Sequence, residues 1–499
     1  MRPRPGSRAA RLLVGALVVA LTATACSSDP EPTPDPAPTS ATPDASGPTT
    51  GPSAGPGPAG PPSVPNPFGA HWDWSRYEQF KPYLAKISGS ATYQEITWCA
   101  MEPTQGNRDY AALDRIAQRS RDLGITLHIK IRTGVCWATG GTPQFTRGQA
   151  NKTESAMPLD MATYQAFVTD IVKRYAPYGV RQFAIENEVN APQYWAGTPE
   201  DYKRLVASAA EAIRAADPQA KVVDSGISSV AYGMGVADRL LTAGDEAGAV
   251  AAYQAYFVRR IGTRGQKIPA VTDGAGLRTA LANDQNSRNL QFLAATEQLL
   301  DERVVDVRQL HYYEHFAAVP VLLDYLRAQN PAGVPTQAWE VGQFWRDGDG
   351  DAASRSDEMV KTVSQLVAGG IDQVLWLPLG YNPNNRAGSE VRYGLLDPDG
   401  TERLAGTMMA ELAVAARDAT VEPVADKGLV GVAFRRGTES TLVVWSSSDA
   451  TVSVPAAPGL TNDKLGTASA ARSGAVSVGS SPVLLRGTGD PASILATIR

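Results

Sequence analysis

Glu188 and Glu340 are the residues of this chain best placed for chemistry. Glu188 lies in FAIENEVN (183–190) and Glu340 in QAWEVG (337–342), and each ends a short apolar run of strand character that is followed by loop and then a helical pattern. Such positions fall at the carboxyl ends of strands in a β/α repeat, and in a (β/α)8 barrel those ends form the face where catalysis is built. Two carboxylates on that face point to glycoside hydrolysis. Cleavage with retention needs one carboxylic acid to protonate the departing oxygen and one carboxylate to attack the anomeric carbon from the other side, with the two about 5–5.5 Å apart. Residues this distant in sequence meet that way only if their strands face each other across a closed barrel, as a fourth and a seventh strand do.

The elements that must position them recur along the chain. Strand candidates are 68–72, 91–98, 126–132, 181–187, 221–225, 304–313, 335–340 and 373–377. Between the third and fourth, Tyr164, Phe167, Val168, Ile171, Val172 and Tyr175 recur at the spacing of one helix face. Thr198-Pro199-Glu200-Asp201 opens a further helix with a capping residue, a first-turn proline and first-turn acids, and Tyr202, Leu205, Val206, Ala209 and Ile213 give it a buried stripe. Eight such alternations fit a closed parallel barrel over 67–418 better than an open doubly wound sheet. No glycine-rich dinucleotide fingerprint follows the first strand, and no cofactor is expected. After residue 418 the pattern changes to short alternating runs, LVGVAF, STLVVWS, TVSVP and SPVLLRG, separated by Gly, Ser and Asp. These predict a small β-sandwich over 419–499 with a structural role, since no cluster of exposed aromatics marks it as a sugar-binding module.

Alternation on the third strand turns Leu127, Ile129 and Ile131 toward the helices and His128, Lys130 and Arg132 into the barrel. An unpaired buried charge costs several kcal/mol, so Lys130 is expected to pair with Glu186 or Glu95. A sharper alternative gives Lys130 or Arg132 to a sugar carboxylate. Glu186, two residues before Glu188, points the same way along an ideal strand and competes with it, one of the two being a buried structural acid. The segment 242–303 carries Tyr253, Tyr256 and Phe257 and is expected to shape a groove.

Taken together, these strand-end residues resemble clan A of the glycoside hydrolases, retaining barrel enzymes with the acid/base after strand four and the nucleophile after strand seven. The resemblance covers about 68–416, and its layout is similar to the β-xylosidase and α-iduronidase family. It implies Glu188 as acid/base, Asn187 as donor to the sugar 2-hydroxyl and Glu340 as nucleophile. His311 and Tyr313 in LHYY match the clan's His-x-Tyr, whose tyrosine bonds the nucleophile, and Trp376 in VLWLP matches the aromatic floor under the reacting sugar. WCAMEPTQG, opening at Trp98, resembles the segment after strand two. His71 and Trp72, and Asn382, Asn384, Asn385 and Arg386 after strand eight, lie on the face that meets substrate. The chain departs from the clan where an arginine is often found on strand two, a region held here by Tyr93 and Gln94, and in Val189, which replaces a proline.

Residues 1–25 carry arginines at 2, 4, 8 and 11, an apolar run from 12 to 21, and small residues before Cys26. That is the pattern of a secretion signal, too short to span a bilayer as a mature helix. The cysteine after small residues resembles a bacterial lipobox, although Ala23 stands where leucine is usual, and implies lipid attachment at Cys26. The alternative is an ordinary secretion signal with an incidental cysteine. Residues 26–66 are Pro-, Ser- and Thr-rich with almost nothing to bury, an extended tether. Cys99 and Cys136 follow neighbouring strands, so in an oxidising compartment they are disulfide partners, or else two separate thiols packed under loops. A net charge of −5 with no basic block speaks against nucleic acid. Asp347, Asp349, Asp351 and Glu358 match four calcium-loop positions, but Ala352 stands where that loop needs glycine, so a solvated loop and no metal is expected.

The function expected is an extracytoplasmic, membrane-anchored glycosidase acting on a carbohydrate. The alternatives are a sugar-binding lipoprotein without catalysis, as an inactive barrel, or a solute-binding protein with a two-lobed fold. Nothing in the sequence fixes an oligomeric state.

Overall fold

The computed structural model describes residues 66–140, 155–262, 268–345, 351–385, 389–467 and 472–496. The leader, Cys26, the tether up to residue 65, Asp347, Asp349 and Arg386 lie outside the described residues.

Eight parallel strands form the barrel: β1 (Phe68–Ala70), β2 (Ala91–Thr97), β3 (Thr126–Arg132), β4 (Gln182–Ile185), β5 (Lys221–Val223), β6 (Arg308–Tyr312), β7 (Thr336–Val341) and β8 (Ile371–Trp376). They pair in two runs, β2-β3-β4-β5 and β1-β8-β7-β6. The β5/β6 seam is joined by parallel bridges between Val223 and Val307 and between Ile227 and Leu310. At the β1/β2 seam, His71 Nδ1 lies 3.0 Å from the Tyr93 carbonyl. There the strands approach so closely that a Cβ on Gly69 would lie 2.1 Å from the Ala91 carbonyl oxygen, which is why β1 needs glycine at this point.

The period-two pattern of β3 divides as its residue types require. Leu127, Ile129 and Ile131 join the large core between strands and helices, whereas His128 stacks on Trp339 inside the barrel, ring centroids 4.8 Å apart, and bonds Gln373. Burial pushes the His128 pKa down to about 4, so the ring packs there uncharged. The helix Met161–Tyr175 buries the six residues of its apolar stripe, and Pro199–Ala216 opens with a full capping box between Thr198 and Asp201.

The last barrel helix, Leu404–Ala416, is followed by an antiparallel sheet of six strands, with a two-stranded ribbon of Val452–Val454 and Val476–Val478 beside it. Strand alternation sends Val432, Phe434, Val443 and Leu484 to the barrel side. Leu429, Ala433, Leu442, Val444 and Leu485 go to a second core, shared with Val454 and Val478 of the ribbon. Both faces of the sheet are therefore covered. Among the described residues, no helix is long and apolar enough to cross a membrane.

Candidate active site

At the carboxyl end of the barrel, two departures from ideal strand geometry place the acids. The pairing of β6 with β7 skips a residue, Leu310 opposing Ala338 and His311 opposing Glu340, and β7 slips against β8 between Ala338 and Val341. In a regular strand Trp339 and Glu340 would face opposite sides. The bulge lets Trp339 fill the barrel interior while Glu340 still turns toward the mouth. On the other wall β4 stops at Ile185, and Glu186 and Glu188 both take left-handed backbone, with φ of 68° and 41°. Non-glycine residues rarely hold that conformation, and it is concentrated at functional sites.

Those left-handed turns separate the two competing glutamates, correcting the expectation that they point the same way. Glu186 is fully buried and accepts from the Thr133 amide at 2.8 Å and the Thr133 hydroxyl at 3.0 Å, with Arg132 3.7 Å away. Burial raises its pKa against the pull of Arg132 and the hydrogen bonds from Ser155 and Thr133. Glu188 turns instead toward His311 and Glu340. Its Oε1 is 2.8 Å from His311 Nδ1, and that nitrogen is 3.3 Å from Glu340 Oε2. A carboxylate oxygen of each glutamate and a ring nitrogen of His311 all lie within 4.8 Å of one another.

Glu340 is surrounded by donors. Its Oε1 accepts from the Tyr93 hydroxyl at 2.8 Å and from Lys130 Nζ at 3.1 Å. Its Oε2 accepts from the Tyr313 hydroxyl at 2.9 Å and faces His311. Burial by itself would raise the Glu340 pKa. The electrostatic pull of His311 in its protonated form and of Lys130, with the hydrogen bonds from Tyr93 and Lys130, overrides it and holds the carboxyl well below the usual range. Tyr313 moves the other way, pushed well above the ordinary tyrosine value by burial and then by the Glu340 charge, so its hydroxyl keeps its proton and donates.

The structure thus brings together Glu188, Glu340, Asn187, His311 and Tyr313. It adds Tyr93 and Lys130, whose contacts with Glu340 sequence reasoning missed. Tyr93 stands in the strand-two region where the clan often carries an arginine, and its inward place on β2 is the signal for its role. Lys130 was expected to pair with Glu186 or Glu95. Arg132 takes both of those, at 3.7 Å and 3.2 Å, leaving Lys130 to Glu340. His71 is half-buried beside Tyr93, the rings stacked 4.1 Å apart, and burial lowers its pKa.

Two expected contacts, those of Trp98 and Trp376, are corrected. Trp98 is 0 % exposed, packed against Trp137, Tyr164 and Phe167 with its indole N–H on Glu102, so it is a packing residue and has no surface for a ligand. Trp376 is 1 % exposed and donates to the Tyr393 carbonyl at 3.2 Å. It ends β8 as expected, but in this conformation it is covered and not an open floor. Asn382 is exposed, and its side chain accepts from the Asn384 amide within its own turn. The aromatics of 242–303 are also core: Tyr253, Tyr256 and Phe257 are all buried.

The loop after Glu188 is fixed from outside the barrel. Arg288, on the helix Asp284–Asp301, donates to the carbonyls of Val189, Asn190 and Trp195. Cys99, in the short helix Trp98–Met101 after β2, and Cys136, in the loop after β3, form a disulfide with Cα atoms 5.6 Å apart. Of the calcium motif, Asp351 caps the helix Ala352–Ala368 and Glu358 is forked onto Arg259. Glu188, His311 and Glu340 have the spacing of a metal-ligand set. The Lys130 ammonium against Glu340 and His311 already puts a cation there, which favours carboxylate chemistry.

No family model matches the sequence, and no curated protein matches it either. Solved structures do resemble the fold. A family 39 glycoside hydrolase from Bacteroides cellulosilyticus aligns over 85 % of this chain and 81 % of its own, with 14 % identity and a TM-score of 0.56. A family 39 β-xylosidase from Caulobacter crescentus aligns over 86 % and 98 %, with 13 % identity and a TM-score of 0.54. A family 30 endoxylanase from Clostridium papyrosolvens aligns over 86 % and 98 %, with 13 % identity and a TM-score of 0.50. The chain shares their barrel fold.

Proposed function

We propose that the protein is a retaining glycoside hydrolase that cleaves O-glycosidic bonds of an oligo- or polysaccharide by double displacement. The observation that carries this reading is the carboxylate pair. Oxygens of Glu188 and Glu340 lie within 4.8 Å of each other, close to the spacing of retaining enzymes and short of the wider gap that an inverting enzyme keeps for water. The pair is also asymmetric: Glu340 is held ionised by hydrogen bonds from Tyr93, Lys130 and Tyr313, whereas Glu188 is bonded to Nδ1 of His311.

In the first step Glu188 gives its proton to the departing oxygen while Glu340 attacks the anomeric carbon, forming a glycosyl ester. The Glu340 charge is consumed in that bond, and Glu188 is left as a carboxylate. It then takes a proton from water as the water oxygen attacks the same carbon, releasing Glu340 and the free sugar. Tyr313 and Tyr93 hold the nucleophile in line, and Asn187 and His71 stand beside the sugar. The leader pattern and Cys26 support secretion and lipid anchoring outside the cytoplasm, with 26–66 as the tether.

Trapping tests the reading. A panel of activated 2-deoxy-2-fluoro glycosides, followed by peptide mass mapping, is expected to add one sugar to the peptide that carries Glu340. A label on Glu186 or Glu188 would reassign the nucleophile. Binding of sugars without any label or turnover across the panel would favour the non-catalytic lipoprotein.

A further inference from the structure

Lys130 is fully buried where β3 meets the carboxylate cluster. Its ammonium has three protons and no lone pair. Three acceptors face it: Asn187 Oδ1 at 2.6 Å, Glu340 Oε1 at 3.1 Å and His311 Nε2 at 3.5 Å. The Tyr93 ring lies alongside, its centroid 4.5 Å from Nζ. Each contact removes an ambiguity at its partner. An ammonium only donates, so the Asn187 atom it meets is the carbonyl oxygen, and the amide NH2 is turned away, free to donate to a sugar hydroxyl. In the neutral ring the His311 nitrogen that meets Lys130 offers the lone pair, so the one ring proton sits on Nδ1, the nitrogen facing Glu188 and Glu340. Nε2 also lies against Gly226, where a Cβ would come within 2.3 Å of it.

We propose that Lys130 is the positioning residue of this site, one buried cation that sets the Glu340 carboxylate, the Asn187 amide orientation and the His311 tautomer together. The inference rests on the nucleophile assignment above. With Lys130 removed, the amide loses the contact that distinguishes its two orientations, the imidazole is left with only the carboxylates at Nδ1 to place its proton, and Glu340 loses its nearest full charge. The other titratable groups facing Glu340 are His71 on the β1 side, Tyr93 on β2, Glu188 after β4, and His311 and Tyr313 at the end of β6. Tyr194 also feels its charge.

The test uses Lys130→Met and Lys130→Arg in the full chain, on an aryl glycoside that the wild type hydrolyses and on its 2-deoxy counterpart. For Lys130→Met, kcat is expected to fall on the order of 10²–10³-fold with KM within a few-fold. The acid limb of the kcat/KM profile should move up by about one pH unit or more, and the advantage of the 2-hydroxyl substrate should shrink about tenfold. Lys130→Arg should recover much of the acid limb but little of the 2-hydroxyl preference, because its fork cannot reproduce three convergent contacts from one point. A folded Lys130→Met variant with the wild-type pH profile and substrate ratio would overturn the proposal. Nitrogen-15 NMR of the wild type, which has four histidines, reads the tautomer without any variant. Protonation of His311 at Nδ1 supports the proposal, and a proton on Nε2 overturns it. Fluoro-sugar labelling of the wild type separates the two claims: Glu340 labelled with an indifferent Lys130 sinks only this inference, whereas a label elsewhere sinks the nucleophile.

Discussion

Glu340→Gln is expected to reduce kcat/KM by about 10⁴–10⁶-fold, the scale seen when a covalent nucleophile is removed. Glutamine keeps the size and one acceptor oxygen but cannot form a stable glycosyl ester, and it turns an NH2 toward hydroxyl and ammonium donors that were all aimed at an anion. The same geometry fixes the sign of the pH dependence. A carboxyl whose folded pKa is depressed contributes stability above its unfolded value, about 4.3 for glutamate, and that contribution is lost as pH falls through the folded value. Glu340 therefore stays ionised, and able to attack, through the mildly acidic range. Kinetics of the purified variant, with circular dichroism to confirm folding, check the effect, and a rate within tenfold of wild type would remove Glu340 as nucleophile.

Glu188→Ala is expected to behave differently according to the leaving group. Hydrolysis of substrates whose departing oxygen needs a proton should fall about 10²–10⁴-fold, the usual contribution of general acid catalysis. A dinitrophenyl glycoside leaves without help, so its first step should survive and the glycosyl ester should accumulate, because no base remains to activate water. Azide, small enough for the vacated space and needing no deprotonation, should restore turnover and yield a glycosyl azide of retained configuration. A uniform loss on all substrates, with no azide rescue, would mean that Glu188 does not exchange protons with the substrate.

Much of this was legible because it depends on local patterns. The stripe Tyr164–Phe167–Val168–Ile171–Val172–Tyr175 and the Thr198 cap follow from spacing and side-chain chemistry within one element, and they appear as read. All eight strand candidates are strands, since short apolar runs between helical patterns leave few other structures. Legibility failed where the backbone left the ideal. Nothing in FAIENEVN announces left-handed residues at 186 and 188, and nothing in QAWEVG announces a bulge beside Trp339, yet these decide which acids meet. Partner choice was illegible for a related reason. Lys130 and Arg132 were correctly turned inward by alternation, but which carboxylate each reaches depends on how the strands beside and across from β3 end. Trp98 shows the limit of carrying a residue over by motif, because the segment folds into a short helix that tucks the indole under the surface.

The reading depends on a gap between Glu188 and Glu340 too narrow for a water molecule to attack across it. Proton NMR of the sugar first released, recorded before mutarotation scrambles its anomers, tests that directly. The carboxylate pair predicts the same anomeric configuration in product as in substrate; an inverted product would contradict the covalent mechanism and the roles given to both glutamates.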